Sequence, residues 1–277
     1  MSGLLRSLRM LPFAVPFDIG VLDVGLTENG KAQLAAFDVK IVPAQVDIEY
    51  RGREEWEQQL QGFRAMTARP FLRNYFPGYD VYMWIDADAW AQTPEAVDTM
   101  LAGAGAEDAL FICAEVDRDY KPYFLSSKPW EYHLKWYRAN FPPEIFTAIF
   151  PRPMLIDGVF AMRAESPVWK EWAEVYTACL QRAAKVGREQ FMGDQLSLNV
   201  AVYMKGFPLR LMPAEFGWLT LYAIPMIDAE KNLFVRPTQP RTPISILHLT
   251  HEKKMRSFDI ATTSGGTIAR TLLNEAR

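Results

Sequence analysis

The sequence predicts an α/β fold with a largely parallel sheet, for three reasons. Short apolar runs alternate with amphipathic helical stretches along most of the 277 residues. One run, Val81 to Ile85, is apolar or aromatic without interruption, the pattern of a strand buried on both faces. That run leads straight into Asp86-Ala87-Asp88. In extended backbone, side chains at i and i+2 share a side, so the two carboxylates are expected together at the C-terminal end of a central strand. Ligands of open α/β sheets bind at that edge, and two hard oxygen donors there suit a divalent cation beside a phosphate.

Taken in order, residues 4–11 read as the end of an amphipathic helix and Phe17 to Val24 as a first strand. Thr27 is placed to cap a short helix through Phe37, and Val39 to Val42 is a second strand. Trp56, Leu60, Phe63 and Met66 share one face of a helix over 54–66, and Pro70 opens another ending near Pro77-Gly78. After the Val81–Ile85 strand, Thr93-Pro94-Glu95 reads as cap, first-turn proline and acidic first turn of a helix to the Gly103–Gly105 stretch. Ala109 to Glu115 is the next strand. From about 117 to 153 the alternation breaks into a proline- and aromatic-rich insert with one helical piece, Trp130 to Ala139, the character of a lid or binding element. Met154 to Met162 resumes a strand. Ser166-Pro167 begins a long helix with Gly187 just beyond it, and Gly193-Asp194 opens another that ends near Gly206. Leu209–Met212 and Ile244–Leu247 read as later strands. Without repeats, low-complexity runs or linkers, residues 1–277 are expected to form a single domain.

Composition narrows the function classes. Hydrophobic content of 49% and charged content of 23% are those of an ordinary folded protein. A net charge of −3 gives no support for nucleic-acid binding. Cys113 and Cys179 lie in apolar runs and read as buried free thiols of a reducing compartment. The N-terminus lacks a signal peptide's apolar core, and no window reaches the length of a membrane span. A cytoplasmic protein with room for peripheral membrane contact is expected.

A bare Asp-x-Asp is a weak signal, and Asp117-Arg118-Asp119 is a second one. Asp86 and Asp88 are favoured by the apolar strand before them, the small Ala87 between them and the capped helix after them, whereas Arg118 could neutralise the second pair. An aspartyl-phosphate phosphatase is also conceivable, but Trp90 stands where that chemistry has Thr or Val.

Asp86-Ala87-Asp88 resembles the metal-binding motif of glycosyltransferases with the GT-A fold, and distant residues resemble the family 8 pattern. Ala68-Arg69 lies seventeen residues before Asp86, as in an Ala-Arg pair whose arginine reaches the donor sugar. Asp157-Gly158-Val159 is similar to an Asn-x-Gly-Val strand near that sugar. Asp194-Gln195 with Asn199 matches three positions of an Asp-Gln-Asp-x-x-Asn motif, and His248 with Lys254 matches two of a His-Phe-x-Gly-x-x-Lys motif. The resemblance spans about residues 18–256. It implies a retaining hexosyltransferase that uses a nucleoside diphosphate sugar, UDP-hexose first, and a glycan or lipid-linked saccharide as acceptor. It implies Mn²⁺, with Mg²⁺ as the substitute, held by Asp86, Asp88 and His248 as a Lewis acid on the leaving diphosphate. Arg69, Asp157, Gly158 and Lys254 would bind the donor, and Asp194 and Gln195 would act at the sugar through hydrogen bonds and charge. The aromatics Trp130, Tyr132, Trp136 and Tyr137 suit stacking on an acceptor sugar.

Plainer roles stand beside these: His248 as a core histidine, Arg69 as a surface charge, Asp194 as a helix cap. Leu196 replaces the motif's second acid, His251 its glycine, and Met255-Arg256 follows Lys254 in place of Pro-Trp. The chain is also expected to lack the first strand of the GT-A fold. The alternative function is a nucleotide-sugar-binding or scaffold protein of the same fold without turnover.

Overall fold

A computed structural model describes residues 1–59, 62–150, 152–186, 192–250 and 256–274. Helix α1 (Ser2–Met10) buries Leu4, Leu5 and Leu8 on one face. Strand β1 (Gly20–Asp23) pairs in parallel with β2 (Lys40–Pro43) across α2 (Glu28–Ala35), where the Thr27 hydroxyl accepts the Gly30 N–H at 3.1 Å. The single helix expected over 54–66 is two, α3 (Arg53–Gln59) and α4 (Phe63–Ala68). Gly62 precedes α4 at φ 87°, a left-handed value that a side chain would resist and a continuing helix cannot adopt. A 3-10 turn, Arg69–Phe71, then carries the chain into α5 (Leu72–Tyr75).

Strand β3 (Val81–Ile85) has the bounds its sequence suggests. It leads through β4 (Ala89–Ala91) to α6 (Glu95–Ala106) and β5 (Leu110–Ala114). Thr93 does not cap α6: its hydroxyl is buried without a partner. Ser245 takes the role from far along the chain, its Oγ accepting the Ala96 N–H at 2.9 Å and donating to the Thr93 carbonyl. The insert is more regular than expected. It forms α7 (Pro122–Leu125), α8 (Lys128–Asn140) and α9 (Pro143–Ile149), and Pro122, Pro129 and Pro143 sit in first turns, where a missing N–H costs nothing.

Strand β6 (Leu155–Arg163) follows, then α10 (Val168–Val186) and α11 (Gly193–Lys205), which stops at Gly206 with φ 66°. The remaining strands are β7 (Leu209–Met212), β8 (Trp218–Leu219), β9 (Met226–Asp228), β10 (Leu233–Val235), β11 (Ile246–His248), β12 (Ser257–Ala261) and β13 (Thr267–Thr271).

The main sheet has the order β3-β6-β5-β7. Strands β5 and β7 are parallel, and β6 is antiparallel to both β3 and β5, so three of the four strands share one direction. Its order corrects one expectation: β3 lies at the edge of this sheet, because β6 covers one side of it and no described strand pairs with the other. No described strand precedes Gly20 either. A second sheet, β4-β11-β8, stands beside the end of β3. The odd residues of β3 face a core shared with α1 and α6, and Tyr82 and Trp84 face one shared with α5, α10 and α11. Cys113 and Cys179 are free and buried, and burial pushes the Cys179 thiol up to about 12.

Candidate active site

Asp86 is the first residue past β3, and its N–H donates to the Gly158 carbonyl of β6 at 2.8 Å. The Asp86 carbonyl accepts the Ala89 N–H at 2.9 Å, closing the turn that carries Asp88. Strand β4 begins there and pairs with β11 in a register that sets His248 opposite Ala89. The Leu249 N–H donates to the Asp88 carbonyl at 3.1 Å, locking that crossing. Backbone register alone thus brings His248 Nε2 to 3.4 Å from Asp86 Oδ2 and 3.2 Å from Asp88 Oδ1.

One ligand atom from each of these three residues lies within 4.8 Å of the others. An octahedral cation holding ligands at about 2.1 Å sets neighbouring ligands about 3 Å apart, so the spacing suits a shared divalent ion. Two carboxylates and an imidazole form a mixed oxygen and nitrogen set of the kind Mn²⁺ accepts. His248 Nδ1 is buried with no partner, leaving Nε2 as the nitrogen turned to the carboxylates. Gly158 lies under the group. A Cβ there would stand 2.7 Å from Asp86 Oδ2 and overlap the His248 ring at Cε1.

Arg69 organises the other side. From its 3-10 turn it donates through Nη2 to Asp86 Oδ1 at 2.6 Å, and through Nη1 to Asp157 Oδ2 and Asp194 Oδ2, both at 2.7 Å. Its guanidinium lies over the Trp84 ring, 5.1 Å from the centroid, and Trp84 Nε1 donates to the same Asp86 Oδ1 at 2.7 Å. Asp86 therefore divides its oxygens: Oδ1 goes to Arg69 and Trp84, Oδ2 to the His248 side. Burial works against the charge on Arg69, but Asp157, Asp86 and Asp194 outweigh it and hold the guanidinium above its ordinary value. For Asp157 burial dominates instead, keeping its carboxyl well above the usual range in spite of Arg69. Three acidic side chains thus share one fixed cation, Asp157 with its charge opposed by burial, and Asp88 adds a fourth beside them. Such a group favours a further positive charge.

Asp194 sits in the first turn of α11, a favourable end for a carboxylate, and Trp172 Nε1 of α10 grips its carbonyl at 2.9 Å. Gln195 is turned away from Arg69: its Nε2 donates to Glu115 Oε1 at 2.9 Å. Glu115 also accepts the Tyr123 and Tyr222 hydroxyls and lies 2.9 Å from His133 Nε2. Burial alone would raise its carboxyl, but His133, Tyr123 and Gln195 together hold it below the ordinary glutamate value. Asn199 has a structural part. Its amide brackets Leu155, accepting that residue's N–H at 2.8 Å and donating to its carbonyl at 3.0 Å, which fastens α11 to β6. Leu196 is fully buried in the core.

Of the residues singled out from sequence, Asp86, Asp88, Arg69, Asp157, Gly158, Asp194 and His248 come together at one place. Gln195 stands one layer away, and Lys254 and His251 lie outside the described residues. Asp117 and Asp119 are bound by Arg236, which also holds Glu215 at 2.8 Å. Their neutralising arginine is therefore Arg236 and not Arg118. Trp136 and Tyr137 are buried in the core, while Tyr132 is exposed. Sequence reasoning passed over Trp84 and Glu115. Both carried a signal: Trp84 is two residues before Asp86 on the same strand face, and Glu115 is a carboxylate at a strand's C-terminal end, as Asp86 is.

No protein-family model and no curated protein sequence matches the chain. Solved structures do. The galactosyltransferase LgtC, in complex with donor and acceptor sugar analogues, is 13% identical with a TM-score of 0.50, over 91% of this chain and 81% of that one. Mouse xyloside xylosyltransferase 1 is 12% identical at 0.47, over 89% and 88%. The bifunctional glycosyltransferase WbbM is 15% identical at 0.48 over 78% of this chain, which spans only 37% of it. The likeness to LgtC bears on fold alone: this chain has a GT-A-like α/β fold.

Proposed function

We propose that this protein is a metal-dependent, retaining glycosyltransferase of the family 8 kind, moving a hexose from a nucleoside diphosphate sugar, UDP-hexose first, to a glycan or lipid-linked saccharide. One observation carries the reading. Segments from five parts of the chain bring Asp86, Asp88 and His248 against Arg69, Asp157 and Asp194, at the edge where α/β sheets bind ligands.

Asp86 Oδ2, Asp88 and His248 Nε2 would hold the cation, Mn²⁺ before Mg²⁺, which supplies Lewis-acid neutralisation of the departing diphosphate. Arg69 fixes Asp157 and Asp194 at the sugar's side, where both hydrogen-bond its hydroxyls and Asp194 offsets positive charge developing at the anomeric carbon. Gly158 leaves room for the donor and the imidazole together. Gln195 is oriented by Glu115 and acts beside Asp194. Lys254 adds positive charge toward the phosphates, and the exposed Tyr132 offers a face to the acceptor. The activity would belong in the cytoplasm, with peripheral membrane contact where the acceptor is lipid-linked. No described helix is long and apolar enough to cross a membrane.

The test is release of UDP from UDP-hexoses with and without Mn²⁺. Hydrolysis or transfer should require the metal and fall at least about 100-fold in Asp86→Ala and in Asp88→Ala. Unchanged turnover in both variants would reject the metal assignment. The non-catalytic alternative draws support from Leu196, which lies in the core where the motif has an acid. Calorimetric binding of UDP with Mn²⁺, without turnover of any donor, would favour it.

A further inference from the structure

Helix α7 and the start of α8 turn large apolar side chains outward. Among the described residues Leu125 is the most exposed large apolar side chain, at 79%, and Phe124 beside it stands at 62%. Single exposed apolar residues are ordinary, whereas adjacent ones in a patch mark a contact surface. Their direction has a local cause. Tyr123 is buried, with its hydroxyl on Glu115 and its ring 5.5 Å from that of Trp130 in α8, so the two side chains after it are left outside this single-turn helix. The Phe124 and Leu125 N–H groups both donate to the Lys121 carbonyl at 3.0 Å, so the tip carries neither amide unpaired into a less polar layer. Tyr132 of α8 and Leu221 are exposed as well, and Leu221 adjoins Tyr222, whose ring lies 5.0 Å from that of Tyr123.

The charges around this patch are mostly of one sign. Lys128, Tyr132, Lys135 and Arg138 follow helical spacing along the exposed face of α8, opposite the buried His133, Trp136 and Tyr137. Lys121 flanks the tip from the other end. Over 118–138 the one exposed acid is Glu131, which accepts the Ser127 hydroxyl, while Asp119 is held by Arg236. This basic excess stands out in a chain of net charge −3. The cores of protein interfaces are depleted in lysine, and small ligands take concave sites. A protruding apolar pair ringed by lysines, with a tyrosine at its edge, fits the boundary layer of an anionic bilayer instead. There the apolar side chains enter, the lysine stems reach out to the phosphates, and the tyrosine sits at headgroup depth.

We propose that the α7 tip and the exposed face of α8 dock the protein on an anionic lipid bilayer, with Phe124 and Leu125 inserted and Lys121, Lys128 and Lys135 on the headgroup phosphates. This deepens the proposed function and rests on its lipid-linked acceptor for its purpose. Tyr123 of the tip donates to Glu115, which holds Gln195 beside Asp194, so the docked surface is joined to the candidate site through two hydrogen bonds.

The experiment uses the whole chain with vesicles of phosphatidylcholine, alone or with about one-third phosphatidylglycerol. It needs neither donor nor metal, so its failure leaves the transferase reading standing, and absence of turnover leaves the docking standing. Sedimentation should show binding to the anionic vesicles that weakens with added salt. The double variant Phe124→Ser with Leu125→Ser should bind at least about ten-fold more weakly with unchanged circular dichroism. Lys121→Gln and Lys128→Gln should each cost about five-fold on anionic vesicles and nothing on neutral ones. Cys113 and Cys179 are buried, so an environment-sensitive thiol label on Leu125→Cys reports the tip alone. Its emission should shift to the blue with anionic vesicles, and the same label on Ile268→Cys, exposed on β13, should stay unchanged. Absence of vesicle binding, binding unaffected by the Phe124 and Leu125 substitutions, or an equal shift at Ile268 would overturn the proposal. A shift at Leu125 that follows protein concentration without vesicles would assign the patch to a second copy and overturn it as well.

Discussion

Asp86 shows how much one side chain is asked to do at this site. Its Oδ1 accepts two hydrogen bonds, from Arg69 and Trp84, while Oδ2 lies by His248. The division works because Gly158 presents no side chain beneath it. Gly158→Ala should therefore push on both Asp86 Oδ2 and the His248 ring, and small overpacking of this kind costs typically about 1–3 kcal/mol. The expected outcome is weaker Mn²⁺ binding in calorimetry with the secondary structure unchanged by circular dichroism. Glu115 makes a second prediction possible. Its carboxyl is held below its ordinary value in the folded protein, so the folded state favours the charged form. That contribution is complete above the ordinary glutamate range and is lost as pH falls through the lowered folded value. The melting temperature should thus drop on acidification in the native protein, and the part of the drop due to this carboxyl should be missing in Glu115→Gln, as pH-resolved thermal melts would read.

At the scale of elements, the chain repeatedly completes local structures with residues from far away. The cap of α6 comes from Ser245, the anchor of the α11 start from Trp172, and the tie between α11 and β6 from Asn199. Ser245→Ala removes the acceptor for the Ala96 N–H, and loss of a cap costs about 0.5–2 kcal/mol. The backbone pairing of β11 with β4 that places His248 does not use the Ser245 hydroxyl, so the melting temperature should fall while the metal site stays formed. A chemical denaturation curve and a Mn²⁺ titration on the same variant check both halves. These partners also explain which elements could be read locally. The bounds of β3 and β7 match their apolar runs, and α2 is capped by its own Thr27, all short-range signals. The helix over 54–66 could not be read as two, since a lone Gly62 in a helical pattern is tolerated in many helices, and only its left-handed φ of 87° in the structure shows that a continuous helix does not pass through it. In the insert, prolines marked breaks in the sequence and turned out to mark helix starts.

For the whole molecule, the ligand set ties the end of β3 to β11 across the junction of two sheets. A cation bound there binds only the folded arrangement. It should raise stability by mass action, about 2.7 kcal/mol at a hundred times its dissociation constant. Thermal melts should therefore rise with added Mn²⁺, fall back with a chelator, and show no metal response in Asp88→Ala.

The sequence by itself determined the class of fold, most element positions and most of the residues that gather at the candidate site. Apolar periodicity, caps and the spacing of Asp86 and Asp88 are local properties. The resemblance linked Arg69, Asp157, Asp194 and His248 to that pair in the right order. Only the tertiary structure decided how they meet. Arg69 is one guanidinium shared by three carboxylates, His248 reaches the pair through the register of β4 and β11, and Glu115 takes hold of Gln195. It also decided that Asp117 and Asp119 belong to Arg236, and that no described strand pairs with the outer side of β3. Pairing partners and strand edges are relations between distant segments, set by which surfaces bury one another, and no local pattern of residues encodes them.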